Sequence, residues 1–153
     1  MEISRSADTL EISQDMYVSK LLEKFGMSNC KPISTPIDTT YRDDIDDNPE
    51  QFDTTVYRQL IGGLLYVSLI SRPDIAFAVN YLSQFCSKPE RRDFIAAKRV
   101  LRFLKGNKQK LIYKKSEINV VAYTDADWAA DKNTRRSTSG FLIKSTNDES
   151  PIL

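Results

Sequence analysis

The sequence predicts an α+β fold, and three observations carry that expectation. Apolar residues alternate in short runs near both ends of the chain. They recur at three- and four-residue spacing through the middle. Glycine or proline marks nearly every change of period.

Met1 to Ser6 and Thr9 to Ser13 predict two short strands around an Ala7-Asp8 turn, with Ile3, Leu10 and Ile12 available to a core. Ser13 is placed to cap the next helix. In that helix Val18, Leu21, Leu22 and Phe25 form one apolar face, and Gly26 is its stop. Pro32, Pro36 and Pro49 exclude regular helix from Met27 to Asp53. A second helix is expected from Val56 to Ile70, apolar nearly all round as a central helix is. Its Gly62-Gly63 pair weakens a helix by roughly 1 kcal/mol per glycine relative to alanine, which a close helix–helix approach would explain. Ser71-Arg72-Pro73 ends it. The third helix places Ile75, Ala78, Val79, Leu82 and Cys86 on one face. The fourth, Glu90 to Lys105, carries Phe94, Ala97, Leu101 and Leu104 as its stripe, and Gly106 stops it. Strands are expected over Leu111–Lys114, Asn119–Thr124 and Gly140–Lys144.

The chain has 153 residues, no histidine and two cysteines. Without histidine there is no imidazole base and no His-containing zinc site. Cys30 and Cys86 lie far apart with no CxxC pattern, as expected of reduced thiols inside a cell. The apolar run Leu60 to Ile70 is far shorter than the roughly 20 residues of a bilayer span. The N-terminus lacks a signal-peptide pattern. An intracellular protein, cytoplasmic or nuclear and not secreted, is the expectation.

The net charge of +1 conceals two opposed segments. Residues 38–53 hold seven acids and one base, a sum of −6, and read as a solvated linker. They lack the central glycine and terminal glutamate of an EF-hand loop, so a calcium site is rejected. Residues 88–115 hold eleven bases and two acids, a sum of +9. Such a face can track a phosphate backbone. An ordinary solvated helix face explains the same spacing equally well.

Asp125 and Asp127 close an apolar run and would share one face if the strand continued. Paired carboxylates are what a hard divalent ion needs, although a solvated turn at the strand end accounts for them more simply.

At these residues the chain resembles a known family. Tyr123-Thr124-Asp125-Ala126-Asp127-Trp128-Ala129, followed by Arg135-Arg136-Ser137-Thr138-Ser139-Gly140-Phe141, is similar to the opening of ribonuclease H in the Pol polyproteins of copia-type retrotransposons. Further blocks match in the same order: Leu10 to Met27, Lys31-Pro32-Ile33-Ser34-Thr35-Pro36, Tyr57 to Tyr66, Arg72-Pro73-Asp74-Ile75 and Arg99 to Gly106. The resemblance implies that residues 1–13 are the last hairpin of a reverse transcriptase palm. Residues 14–115 would be its helical thumb and connection region, with the acidic linker 38–53. Residues 116–153 would be an incomplete start of ribonuclease H.

The resemblance also implies roles. Asp125 aligns with the first metal-binding aspartate of ribonuclease H, which in the intact family helps to hold Mg2+ or Mn2+. The helices would contact a primer–template duplex, with Arg91, Arg92, Lys98, Arg99, Arg102 and Lys105 on the nucleic acid. The departures matter as much. The Tyr-x-Asp-Asp pair of the polymerase is missing, and so are the later ribonuclease H carboxylates. Asp127 and Asp131 are substitutes without a family role. The expectation is therefore a Pol fragment that is inactive by itself and holds no stable metal ion. Met1 would be internal to a longer frame, and the chain could associate with a full-length Pol product. The other function class is a non-catalytic module binding RNA–DNA duplex weakly and without sequence preference through residues 88–115.

Overall fold

A computed structural model describes residues 1–38, 40–41, 53–114, 120–129 and 135–145. It is α+β, with element order β1 (Glu2–Arg5), β2 (Thr9–Ser13), α1 (Asp15–Lys24), α2 (Thr54–Ile70), a 3-10 turn (Pro73–Ile75), α3 (Ala76–Ser83), α4 (Arg91–Gly106), β3 (Leu111–Lys114), β4 (Val120–Ala126) and β5 (Ser139–Ser145). The chain divides into two compact units, Met1–Arg5 with Leu10–Ile112, and Ser6–Thr9 with Tyr113–Leu153.

The first unit is built on α1 to α4. Val18, Leu21 and Leu22 of α1 pack with Tyr57, Leu60, Ile61, Leu64 and Val67 of α2, and α3 and α4 complete the core. The expected faces are observed, with three differences. Ile75 lies in the 3-10 turn and Cys86 past the end of α3, so that helical face is shorter than expected. The stripe of α4 is wider than expected, because Ala96, Val100 and Phe103 are buried as well. α2 is not buried all round, since Leu69 is 81% exposed. Its two glycines differ too. A Cβ on Gly63 would lie 2.8 Å from Leu21 Cδ2, so α1 and α2 approach closely there, whereas Gly62 faces open space.

β1 and β2 pair antiparallel with Ile3 opposite Ile12, and the sheet order is β1-β2-β3. Ile3 is 59% exposed, so this strand does not feed the core as expected. Ser13 is not the cap of α1 either. Gln14 holds that position without a side-chain cap, and Ser13 donates its hydroxyl to Glu2 Oε2. The same Glu2 oxygen accepts the Met16 N–H at 3.4 Å, so β1 supplies the carboxylate at the helix start. α1 ends as expected. Gly26 takes φ +66°, its N–H donates to Glu23 O, and Met27 N–H donates to Leu22 O, a Schellman turn.

Polar contacts lock the remaining joints. Tyr57 donates to Leu82 O at 2.7 Å, tying α2 to α3. Arg72 is buried between α2 and the 3-10 turn. It donates to both oxygens of Asp74, at 2.9 and 2.6 Å, and to Asn107 O at 2.6 Å. Glu90 and Asp93 form a capping box at the start of α4. Asp93, fully buried, also accepts the Tyr41 hydroxyl at 2.8 Å.

Residues 28–35, between α1 and the acidic segment, form a strap along α4. Cys30 and Ile33 pack against the core, and a Cβ on Gly106 would sit 2.6 Å from Pro32 Cβ. The expected linker 38–53 lies mostly outside the described residues. Of its ends, Asp53 caps α2 by accepting the Thr55 N–H.

In the second unit β4 and β5 pair antiparallel over seven residue pairs, from Val120 opposite Ser145 to Ala126 opposite Ser139. Among the described residues no helix is long and apolar enough to cross a membrane.

Candidate nucleic-acid interface

The amphipathic helix α4 determines where charge can gather. Its apolar side faces α1, α2 and α3, so its bases are confined to the remaining surface. There an open groove of about 610 Å3 is lined by Arg91, Arg92, Lys98, Arg99 and Arg102, together with Tyr41. Five of the six bases implied for nucleic-acid contact therefore lie on one groove. Lys105 is elsewhere on the helix.

The bases have different partners. Arg92 pairs with Glu90 at 2.6 Å, and Lys98 stands 4.5 Å over the Phe94 ring. Arg99 donates through Nη2 to Thr35 Oγ1 at 2.7 Å, while its buried Nε has no hydrogen-bond partner. Arg102 donates to Lys31 O at 2.8 Å. Lys105 donates to both Ser28 O and Cys30 O, at 2.7 and 2.8 Å. Bases three residues apart on the helix thus grip successive positions of the strap. Sequence reasoning treated these cations as solvated or phosphate-directed and missed that role. A signal was present: an irregular segment broken by Pro32 leaves carbonyls that need donors from elsewhere.

At the groove edge Thr40 donates its hydroxyl to Asp38 at 2.7 Å and its N–H at 3.1 Å. These two bonds hold the Asp38 carboxyl below the usual carboxylate range, hydroxyl first. Slight burial opposes them and the Arg99 charge adds least.

The other candidate residue is in the second unit. Asp125 lies within β4 opposite Gly140, on an exposed strand. Asp127 is just past the strand and serves the turn, its Oδ2 accepting the Thr138 N–H at 2.9 Å and its own N–H donating to Thr138 O. Asp131 lies outside the described residues. Among the described residues no group of three or more Cys, Asp or Glu could hold a metal ion. A two-metal nuclease needs several oxygen ligands converging at once. Among the described residues, Asp125 with an Asp127 engaged in its turn does not fit Mg2+ or Mn2+.

No family profile and no solved structure matches the chain. Curated proteins do. An uncharacterized mitochondrial protein of Arabidopsis thaliana, AtMg00810, is 38% identical over 143 residues, 92% of this chain and 59% of its own length. The retrovirus-related Pol polyprotein from transposon RE1 of the same plant is 37% identical over 94% of the chain. That from transposon TNT 1-94 of Nicotiana tabacum is 34% identical over 91%. The chain spans only 10% and 11% of those two polyproteins. Similarity running through nearly the whole chain, across elements with different packing roles, is similarity to one continuous stretch of Pol. The chain belongs to the family of Pol polyproteins of copia-type retrotransposons.

Proposed function

We propose that the chain corresponds to the end of a reverse transcriptase and the beginning of a ribonuclease H. Residues 1–13 are the last palm hairpin, 14–115 the thumb and connection region, and 116–153 the start of ribonuclease H. In this reading the chain performs neither polymerisation nor hydrolysis by itself. It has no Tyr-x-Asp-Asp pair, and Asp125 has no converging carboxylates among the described residues. Members of a catalytic set act as a unit, so one remaining aspartate gives little. The Mg2+ or Mn2+ chemistry belongs to the intact polyprotein, with which this chain could associate.

What the chain does by itself is bind nucleic acid through phosphates. The observation that carries this is the groove on α4, where five cations line one surface. In this reading the cations meet phosphate oxygens, which carry no sequence information, so the binding is weak and indifferent to sequence. An RNA–DNA hybrid is the ligand that the family's chemistry supplies.

Fluorescence anisotropy with a labelled RNA–DNA hybrid tests this. Affinity should fall steeply with salt. Lys98→Glu should weaken binding equally for unrelated sequences and flatten the salt slope by about 1 unit. Lys98 is the better position because its Phe94 contact is minor to the fold, whereas Arg99 and Arg102 hold the strap. Absent or salt-independent binding would refute the proposal. Metal-dependent nuclease activity lost in Asp125→Ala would refute the non-catalytic part.

A further inference from the structure

Four hydrogen bonds from α4 end on the strap, three of them on main-chain carbonyls. The donors are Arg99, Arg102 and Lys105, three residues apart along the helix. A carbonyl oxygen is a neutral acceptor, and a phosphate oxygen on the same donor makes the stronger, doubly charged bond. Each of these donors is therefore placed to exchange one oxygen acceptor for another. Arg99 already keeps a buried Nε without a partner. Arg99 and Arg102 also line the cationic groove, so strap and groove draw on the same side chains.

We propose that the strap, residues 28–35, is a built-in competitor for the polyanion surface of α4. Docked, it occupies Arg99, Arg102 and Lys105 with its own oxygens and leaves the phosphate backbone the other cations of the groove, Lys98 among them. Displaced, it releases all three cations to the nucleic acid. This rests on the phosphate-binding reading above and adds its regulation. The strap reads no side-chain pattern in its carbonyl contacts, so release depends on ionic conditions and ligand charge, not on a specific effector.

The point of leverage is Gly106. Its hydrogen faces Pro32, and any Cβ there meets the proline ring. Gly106→Val should lift the strap by steric pressure. Pro32→Gly should loosen it without a clash, by removing the ring that packs there. In both, circular dichroism should confirm that the helices remain. Anisotropy with the same RNA–DNA hybrid should then show about tenfold tighter binding at low salt. The salt dependence should steepen by roughly 2–3 units for three added phosphate contacts. Adding Arg102→Met and Lys105→Met to the Gly106→Val chain should remove about two of the three added contacts and so most of the gain, which general exposure of apolar surface would not do. If the original chain binds and neither folded variant gains affinity or slope, the competition is overturned while the binding reading stands. The same holds if the gain survives loss of both bases. If neither the original chain nor a variant binds, the underlying reading fails and the competition with it.

Discussion

Replacing Arg72 should damage this fold more than any exposed charge would. The side chain is 4% exposed and its partner Asp74 is 12% exposed. The guanidinium makes two bonds to the Asp74 carboxylate and one to Asn107 O, and stands 5.7 Å over the Phe103 ring. It thereby joins the end of α2, the 3-10 turn and the end of α4. Arg72→Met keeps most of the apolar stem and removes every one of these donors. A carboxylate and a carbonyl are then stranded with little water. Breaking a buried pair by removing one partner costs about 3–5 kcal/mol. Asp74 retains some exposure, so the lower end, about 3 kcal/mol, is expected. At about 4–8 °C per kcal/mol for a unit of this size, the melting midpoint should fall by roughly 12–24 °C. The assay is urea and thermal unfolding followed by helical circular dichroism, which reports the helical unit. A cycle with Asp74→Asn should show a coupling of about 1–3 kcal/mol between the two residues. A loss under about 1 kcal/mol, the range of solvated surface pairs, would refute the reasoning.

Two further predictions use neighbouring contrasts. Gly62→Ala should stabilise α2 by about 0.5–1 kcal/mol, because the site is open and alanine favours helix. Gly63→Ala should instead lose about 1 kcal/mol net, since its methyl would press on Leu21; denaturant titrations giving both changes the same sign would contradict the packing. At the groove edge, the Asp38 carboxyl should titrate below the ordinary aspartate value in an NMR pH series. Thr40→Ala should return it upward, and no change would remove the hydrogen-bond explanation. A depressed folded-state value means that these bonds favour the fold above the ordinary aspartate range. That contribution is lost as pH falls through the folded-state value.

Much of the fold can be read from local pattern. The periodicity of Val18, Leu21 and Leu22, and that of Ala97, Leu101 and Leu104, corresponds to buried faces because a helix has only one side to turn inward. Gly26 as the stop of α1 and Pro73 as the break after α2 act through backbone constraints that need no distant partner. The turn of the first hairpin is equally local. Its burial is not: Ile3 has the composition of a core residue yet remains exposed, because alternation gives the faces of a strand and not which of them will be covered.

The cap of α1 shows the same division between local and distant causes. Ser13 is a fitting cap by type and position, yet Glu2, fourteen residues before the N–H that it accepts, does the work. The groove divides in the same way. That α4 is amphipathic, that positive charge is concentrated on its polar side, and that the chain belongs to a copia-type Pol family all follow from the order of residues. Residue identity and spacing contain all of that. Which cations line the groove and which grip the strap is set by the packing of distant segments. That outcome depends on where Gly26 turns the chain and on unpaired carbonyls meeting donors some seventy residues away in sequence. A charge count weighs every lysine and arginine alike. Hydrogen-bond donors are fixed in space, and a base already donating to the protein's own backbone is no longer equivalent to one that is not.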